Sequence, residues 1–308
     1  MDFSNFFREN LKKEKGKLVE RKREVIFFLI VTVAPAFILF TIFYLLPIVT
    51  LIVTSFFKWD SMKIGGFIGF KNYIKMFGDP IFHQALRNNL SWSLCATFLH
   101  IPFALGVALI LYTRPKGWKI FRTVYFLPHI ISITAFAVIF RSVFNPSFGL
   151  LNAILGALGI EKYSTMNWFY NEFWAWKVII STWLFHIGLL TMIFLAKITE
   201  IPVELYEAAR IDGASSTKQA WYITIPLLRH VIGLCSILTV AGGLRYFEGL
   251  YIMTNGAPNW KTEILALYIY QQVTLLHYSY ANTLGVALLV IGFLVILMFV
   301  KSFRIGEE

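Results

Sequence analysis

Charge is what this sequence has least of. Asp, Glu, Lys and Arg make up 15% of its 308 residues, against about a quarter in an ordinary soluble domain. Acids are the scarcer sign, 17 against 28 Lys and Arg. So little charge excludes a soluble globular domain of this length. Cysteine is nearly absent. Cys95 and Cys235 each sit inside an apolar run, which excludes a disulfide framework and a cysteine metal site. Catalytic spacings are missing too: there is no Gly-x-Ser-x-Gly, no His-Glu-x-x-His and no Cys-x-x-Cys. The Gly16-Lys17 pair is followed by Leu18 and lacks a Gly five residues before it. A phosphate-binding loop needs that Gly-rich cradle and a Ser or Thr for magnesium. No nucleotide site and no enzyme activity are therefore expected in this chain.

Apolar sequence takes the place of charge. Hydrophobic residues reach 57% and mean hydropathy is +0.66. Six runs are long enough to cross a bilayer as helices of about 20 residues: 25–56, 89–113, 120–144, 173–199, 226–253 and 280–301. The expected fold is an all-α membrane protein with six transmembrane helices. Pro35, Pro47, Pro102 and Pro128 fall inside spans, where neighbouring helices can satisfy freed carbonyls. The first run is over-long, so its end should project outward past Pro47. It is also too long for a signal-peptide core, so it should remain as a span.

The net charge of +11 does not point to nucleic acid, because the cations flank apolar runs. A basic tail at 1–24, the 2–3 loop (Arg114, Lys116, Lys119, Arg122), the 4–5 loop (Lys197, Arg210, Lys218, Arg229) and Lys301 with Arg304 hold 18 of the 28 Lys and Arg. By the positive-inside rule these segments and both termini face the cytoplasm. The loops at 57–88, 145–172 and 254–279 then face outward. They carry Trp59, Tyr73, Trp168, Tyr170, Trp260, Tyr268 and Tyr270, which suit an interfacial belt or the docking of an external protein. The domain layout is thus a tail at 1–24 and a membrane domain at 25–308.

One inward segment, about 201–225, reads as two short helices and a turn. Pro202 suits a helix start, Glu204 the positive end of the dipole, Gly213 a left-handed terminator, and Ser215 or Ser216 a cap for the next helix. Ala208, Ala209 and Ala214 leave a smooth face for a partner. The order is Glu207-Ala208-Ala209, two residues, Asp212-Gly213-Ala214, eight residues, then Ile223-Thr224-Ile225-Pro226. It resembles the signature E-A-A-x-x-D-G-A, eight residues, I-x-L-P of ABC importer permeases, departing at Ile225. Phe126-Leu127-Pro128, Phe144-Asn145-Pro146 with Gly149 and Asn152, and Thr254-Asn255-Gly256-Ala257-Pro258 resemble further elements of the binding-protein-dependent sugar permeases of the maltose and glycerol-phosphate type. Ala257 stands where a second Gly is usual.

The resemblance implies a type I ABC importer transmembrane domain, multi-pass in a bacterial inner membrane. It implies a coupling helix carrying Glu204, Glu207, Ala208, Ala209, Asp212, Gly213 and Ala214 that docks on an ATPase. It implies a second homologous permease, two cytoplasmic ATPase subunits that hold ATP and magnesium, and an external sugar-binding protein. By position in the family, His129, His186, Gly243 and Tyr246 fall near the sugar path. Arg245 either recognises an acidic sugar or pairs with Glu248 across one helical turn. Haem or metal at His100, His129 and His186 has no supporting spacing. The alternatives are the same machine for glycerol phosphate or another small solute, and a secondary transporter or channel without an ATPase. The latter should place charges near mid-membrane, and these spans hold few.

The charge asymmetry gives a direct test. Ser216→Cys should react with an impermeant thiol reagent only from the cytoplasmic side, and labelling from outside in intact cells would invert the topology.

Overall fold

A computed structural model describes residues 27–60, 62–304 and 306; the basic tail at 1–24 lies outside them. Three continuous helices are long and apolar enough to cross a membrane: α1 (Phe27–Ser55), α3 (Pro80–Tyr112) and α14 (Tyr278–Phe303). Three further spans are bent pairs. These are α4 (Trp118–Ile130) with α5 (Ile133–Val143) at 105°, α7 (Ala175–Phe185) with α8 (Gly188–Thr199) at 43°, and α10 (Ser216–Leu227) with α11 (Arg229–Leu244) at 71°. Counting each pair once gives six spans.

Between these lie β1 (Phe57–Trp59) and β2 (Ile64–Phe67), α2 (Lys71–Phe77), α6 (Leu150–Ala157), α9 (Val203–Ile211), α12 (Phe247–Met253) and α13 (Leu265–Thr274). The strands form an antiparallel pair with Phe57 opposite Phe67, the one sheet among the described residues.

The chain forms two units, one ending at Thr54 and one beginning at Ser55. The first holds nearly all of α1, whose most apolar window is 0% buried within the protein. A helix apolar all round, with no polar face, is stable only in lipid or against another apolar body.

Proline shapes the spans more locally than the sequence suggests. Five-residue π segments at Thr41–Leu45, Ala96–His100 and Ala220–Thr224 each end two residues before Pro47, Pro102 and Pro226. Proline has no N–H and its ring strikes the carbonyl four residues back. Widening the preceding turn relieves that clash within one helix.

The third and fourth spans, expected as single helices, are broken. Pro128 weakens the end of α4, Ile131 turns extended at ψ 138, and Ser132 caps α5 by accepting from the Ala135 N–H at 3.2 Å. The expected fifth span breaks at Leu228 and again at Arg245.

In the second unit the core runs in three clusters. One gathers Trp92, Phe136, Ile179 and Leu250, one Ala104, Phe194, Ile198 and Cys235, and one Met76, Phe82, Tyr268 and Leu284. At the last of these, Asp79 caps α3 by accepting from the Ile81 N–H at 2.9 Å. Its other oxygen accepts from the Tyr268 and Tyr280 hydroxyls, each at 2.5 Å. Burial alone would raise this carboxyl, but the two phenols and the Ile81 and Phe82 N–H groups together outweigh it and hold it below its ordinary range. One carboxylate thus ties the starts of α3 and α14 to α13.

The start of α3 lies nine residues before the expected span because its polar face is buried. Asn88 Nδ2 donates to the Lys261 and Glu263 carbonyls at 2.9 and 2.7 Å, and Asn89 Oδ1 accepts from the Leu265 N–H at 2.9 Å. Glu263 is 0% exposed. Its Oε2 accepts from Gln271 Nε2 at 3.2 Å, while its Oε1 has no partner among the described residues. Burial pushes this carboxyl up to about 8, against the smaller opposing effect of Gln271.

The consequence is a pH dependence of known sign. The folded protein holds a proton that the unfolded chain has released, so the contribution of Glu263 is full at acid pH. It falls as pH rises and is lost through about 8. Thermal unfolding in detergent should show stability declining from pH 5 to 9, and Glu263→Gln should flatten that decline.

Candidate functional site

Two places stand out: a polar helix pair at one end of the spans, and a cavity within them.

At the first, α9 runs from Pro202, whose φ of −55 and ψ of 130 set the N-cap. Its end is a Schellman turn: the Ala214 N–H reaches the Ala209 carbonyl at 2.8 Å, the Gly213 N–H reaches Arg210 at 3.0 Å, and Gly213 sits at φ +74. Ser215 then caps α10, accepting from the Lys218 N–H at 3.4 Å. Gln219 Nε2 donates to the Ala214 carbonyl at 2.9 Å and closes the corner.

Glu204, Glu207, Ala208, Asp212 and Gly213 are exposed, and Ala209 and Ala214 are half-buried. Tyr206 alone in α9 turns inward. It is 6% exposed, its hydroxyl meets Thr224 Oγ1 at 2.9 Å, and its ring lies 6.1 Å from that of Tyr112. Burial raises the Tyr206 hydroxyl against the smaller effect of Thr224. The corner therefore presents small and acidic side chains outward beside the exposed Val203, Leu205, Arg210 and Ile211, and is pinned by one aromatic residue.

The cavity, about 170 Å³, forms where two bent spans break. His129 comes from the end of α4, and Trp183 and His186 from the α7–α8 break. His100 of α3 and Thr239 and Gly242 of α11 complete the polar and small lining. The His129 and His186 rings lie 4.7 Å apart, and Trp183 lies 5.1 Å from His186. The Nδ1 atoms of all three histidines and the Trp183 indole N–H are buried without a partner among the described residues. Buried polar groups are normally satisfied. The cavity wall itself is almost wholly apolar, so these buried nitrogens lie behind it and do not open into it. No group of three metal-ligating side chains occurs among the described residues.

The remaining residues placed near the path by sequence do not line this cavity. Gly243 faces the Trp92 indole so closely that an added Cβ would overlap it. Tyr246 is 5% exposed, one layer behind the cavity, with its ring 4.8 Å from Trp183 and 5.5 Å from Trp92. Arg245 is exposed and its Nε donates to the Ala241 carbonyl at 3.4 Å. The expected pairing with Glu248 is corrected: α11 ends at Leu244, Glu248 belongs to α12, and no ion pair joins them among the described residues. Trp183, Thr239 and Tyr206 are not singled out by the sequence. Trp183 stands three residues before His186, one helical turn, and that spacing was available.

Comparison with known proteins places this architecture. Residues 80–304 match the family described as binding-protein-dependent transport system inner membrane component. The chain belongs to that family. This permease is 34% identical over 277 residues to a probable ABC transporter permease of Bacillus subtilis, covering 88% of this chain and 94% of the relative. It is 32% identical over 285 residues to the lactose transport system permease of Rhizobium radiobacter, covering 90% and 93%. Its fold matches a subunit of a bacterial ABC transporter that imports the acidic polysaccharide alginate. There the TM-score is 0.80 and identity 23%, over 94% of this chain and 99% of the other. A second structure, of an alginate transporter with its pentasaccharide-bound periplasmic protein, gives 0.79 at 24% identity over 92% and 96%. The permease is thus a transport component of an inner membrane, not an enzyme.

Gly243 supplies a sharp contrast with its neighbour. Gly243→Ala should lower stability by about 1–3 kcal/mol, the usual cost of overpacking, because Trp92 is hemmed in by Trp176, Trp183 and Tyr246. Gly242→Ala meets nothing within 4 Å and should melt like wild type; thermal unfolding of both variants in detergent decides.

Proposed function

We propose that this permease is one of two in an ABC importer for a carbohydrate, an oligosaccharide being the favoured form. Two separate ATPase subunits would bind ATP and magnesium and drive it. An external binding protein would deliver the sugar, and both termini would be cytoplasmic. Support for the sugar comes from a relative named for lactose and from a cavity lined by Trp183 and by no Lys, Arg, Asp or Glu. Sugars bind in part through ring faces against aromatics.

The observation that carries the reading is the corner at α9–α10. Its outward face (Glu204, Glu207, Ala208, Asp212, Gly213) is the part that would seat on the ATPase, with Ala209 and Ala214 at its edge. Tyr206 links it to Thr224 in α10. Beyond the 71° bend, α11 carries Thr239 and Gly242 to the cavity. Force applied at the corner therefore reaches the cavity through one anchored helix pair. Glycerol phosphate is the weaker substrate class, since no Lys or Arg lines the cavity. A carrier without an ATPase gives no role to so exposed a corner.

Glu207→Ala or Gly213→Val should cut transport about tenfold or more, the scale of one lost interface hot spot, while the permease stays in the membrane and basal ATPase activity persists. Transport at wild-type rate in both variants, measured in proteoliposomes, would remove the docking role.

A further inference from the structure

Two grooves besides the cavity run along α4 beside α8, the second sharing Leu189 with the cavity lining. The first, about 220 Å³, lies between the end of α3 and α8 and carries Arg114, Trp118, Arg122 and Thr199. The second, about 620 Å³, continues along α4 with Lys119, Phe126, Leu127, Ile130 and Leu189. Trp118, Arg122 and Met192 line both, so they join into one channel.

This channel is polarised along its length. At one end stand three cations, Arg114, Lys119 and Arg122, and no carboxylate lines either groove. The one interaction shown for these head groups is Arg114 against the Trp118 ring at 5.8 Å. Glu200, near Thr199, is held by Lys197 at 2.7 Å. Further along, Phe126, Leu127, Ile130 and Leu189 make the wall wholly apolar. From Arg122 to Ile130 the helix rises about 12 Å, the span of roughly ten methylenes of an extended acyl chain.

We propose that this channel is a binding site for an anionic phospholipid. The phosphate would sit among Arg114, Lys119 and Arg122 beside Trp118, with one acyl chain laid against Phe126 and Ile130. A zwitterionic lipid would bring its own cation to the same place. Basic pockets between helices at a membrane surface recognise anionic headgroups in this way. The inner leaflet is assigned on the orientation proposed above.

Native mass spectrometry of the purified full-length permease, titrated in detergent with phosphatidylglycerol or phosphatidylcholine, tests the site. Wild type should retain phosphatidylglycerol in preference. Arg114→Gln with Arg122→Gln should weaken that retention about 30-fold, from two charges at about a factor of five each. Lys116→Gln, on the same loop but outside both grooves, should not. Leu127→Trp should weaken retention of both lipids by narrowing the apolar half. Equal retention of the two lipids by wild type, or unchanged retention in the double variant, would overturn the site. So would disulfide capture of a Leu127→Cys variant by a second permease, since protein would then occupy the channel. Lipid binding in detergent does not depend on orientation. Labelling of a Lys116→Cys variant from outside would therefore overturn the assignment to the inner leaflet separately from the binding.

Discussion

Backbone that leaves helical geometry inside lipid must find its hydrogen bonds in protein or in a polar cavity. That constraint organises this permease. Its third and fourth spans break at 131–132 and 186–187, and both breaks meet at one cavity. The third bent pair breaks at Leu228, where the span hands over to the polar corner. Two of the breaks thus border the cavity and one adjoins the polar corner, while the further break at Arg245 is closed by short backbone bonds to Gly242 and Gly243. The rest of the membrane length is kept as intact helix, with proline absorbed by π segments.

The same constraint separates what could be read from sequence from what could not. The corner at 202–216 was legible to within one residue, with Pro202 at the N-cap and Ser215 as the second cap, because a proline start, a left-handed glycine and a serine cap act within a few residues of themselves. Six spans were legible because hydropathy reports solvent. Hydropathy does not report direction, so the 105° turn after Pro128 was read as a straight helix. The pairing of Arg245 with Glu248 failed for a related reason. A spacing of three means proximity only while the helix continues, and here it stops at Leu244.

Tertiary partners account for the remaining gaps. The polar start of α3 looked like loop until Asn88 and Asn89 were seen to bind the 261–265 backbone. His129 and His186 were singled out separately, and only the packing of α4 on α8 brings their rings together. Gly243 and Tyr246 are one residue and one layer away from the cavity wall, a distinction of helical phase too fine for position along a span.

The carboxylate at Asp79 has a mechanical meaning. It holds the starts of α3 and α14 to α13 through two phenols, so those ends have little freedom to separate. The far end of α14 is held more lightly, by Arg229 Nη2 donating to the Ser302 carbonyl at 3.2 Å. A helix of 26 residues is about 39 Å long, and a tilt of roughly 5° about a fixed end moves the other by about 3 Å. Asp79 is then the hinge pin of a lever: small rotations near it become displacements at the far end large enough to open or shut a passage for a solute.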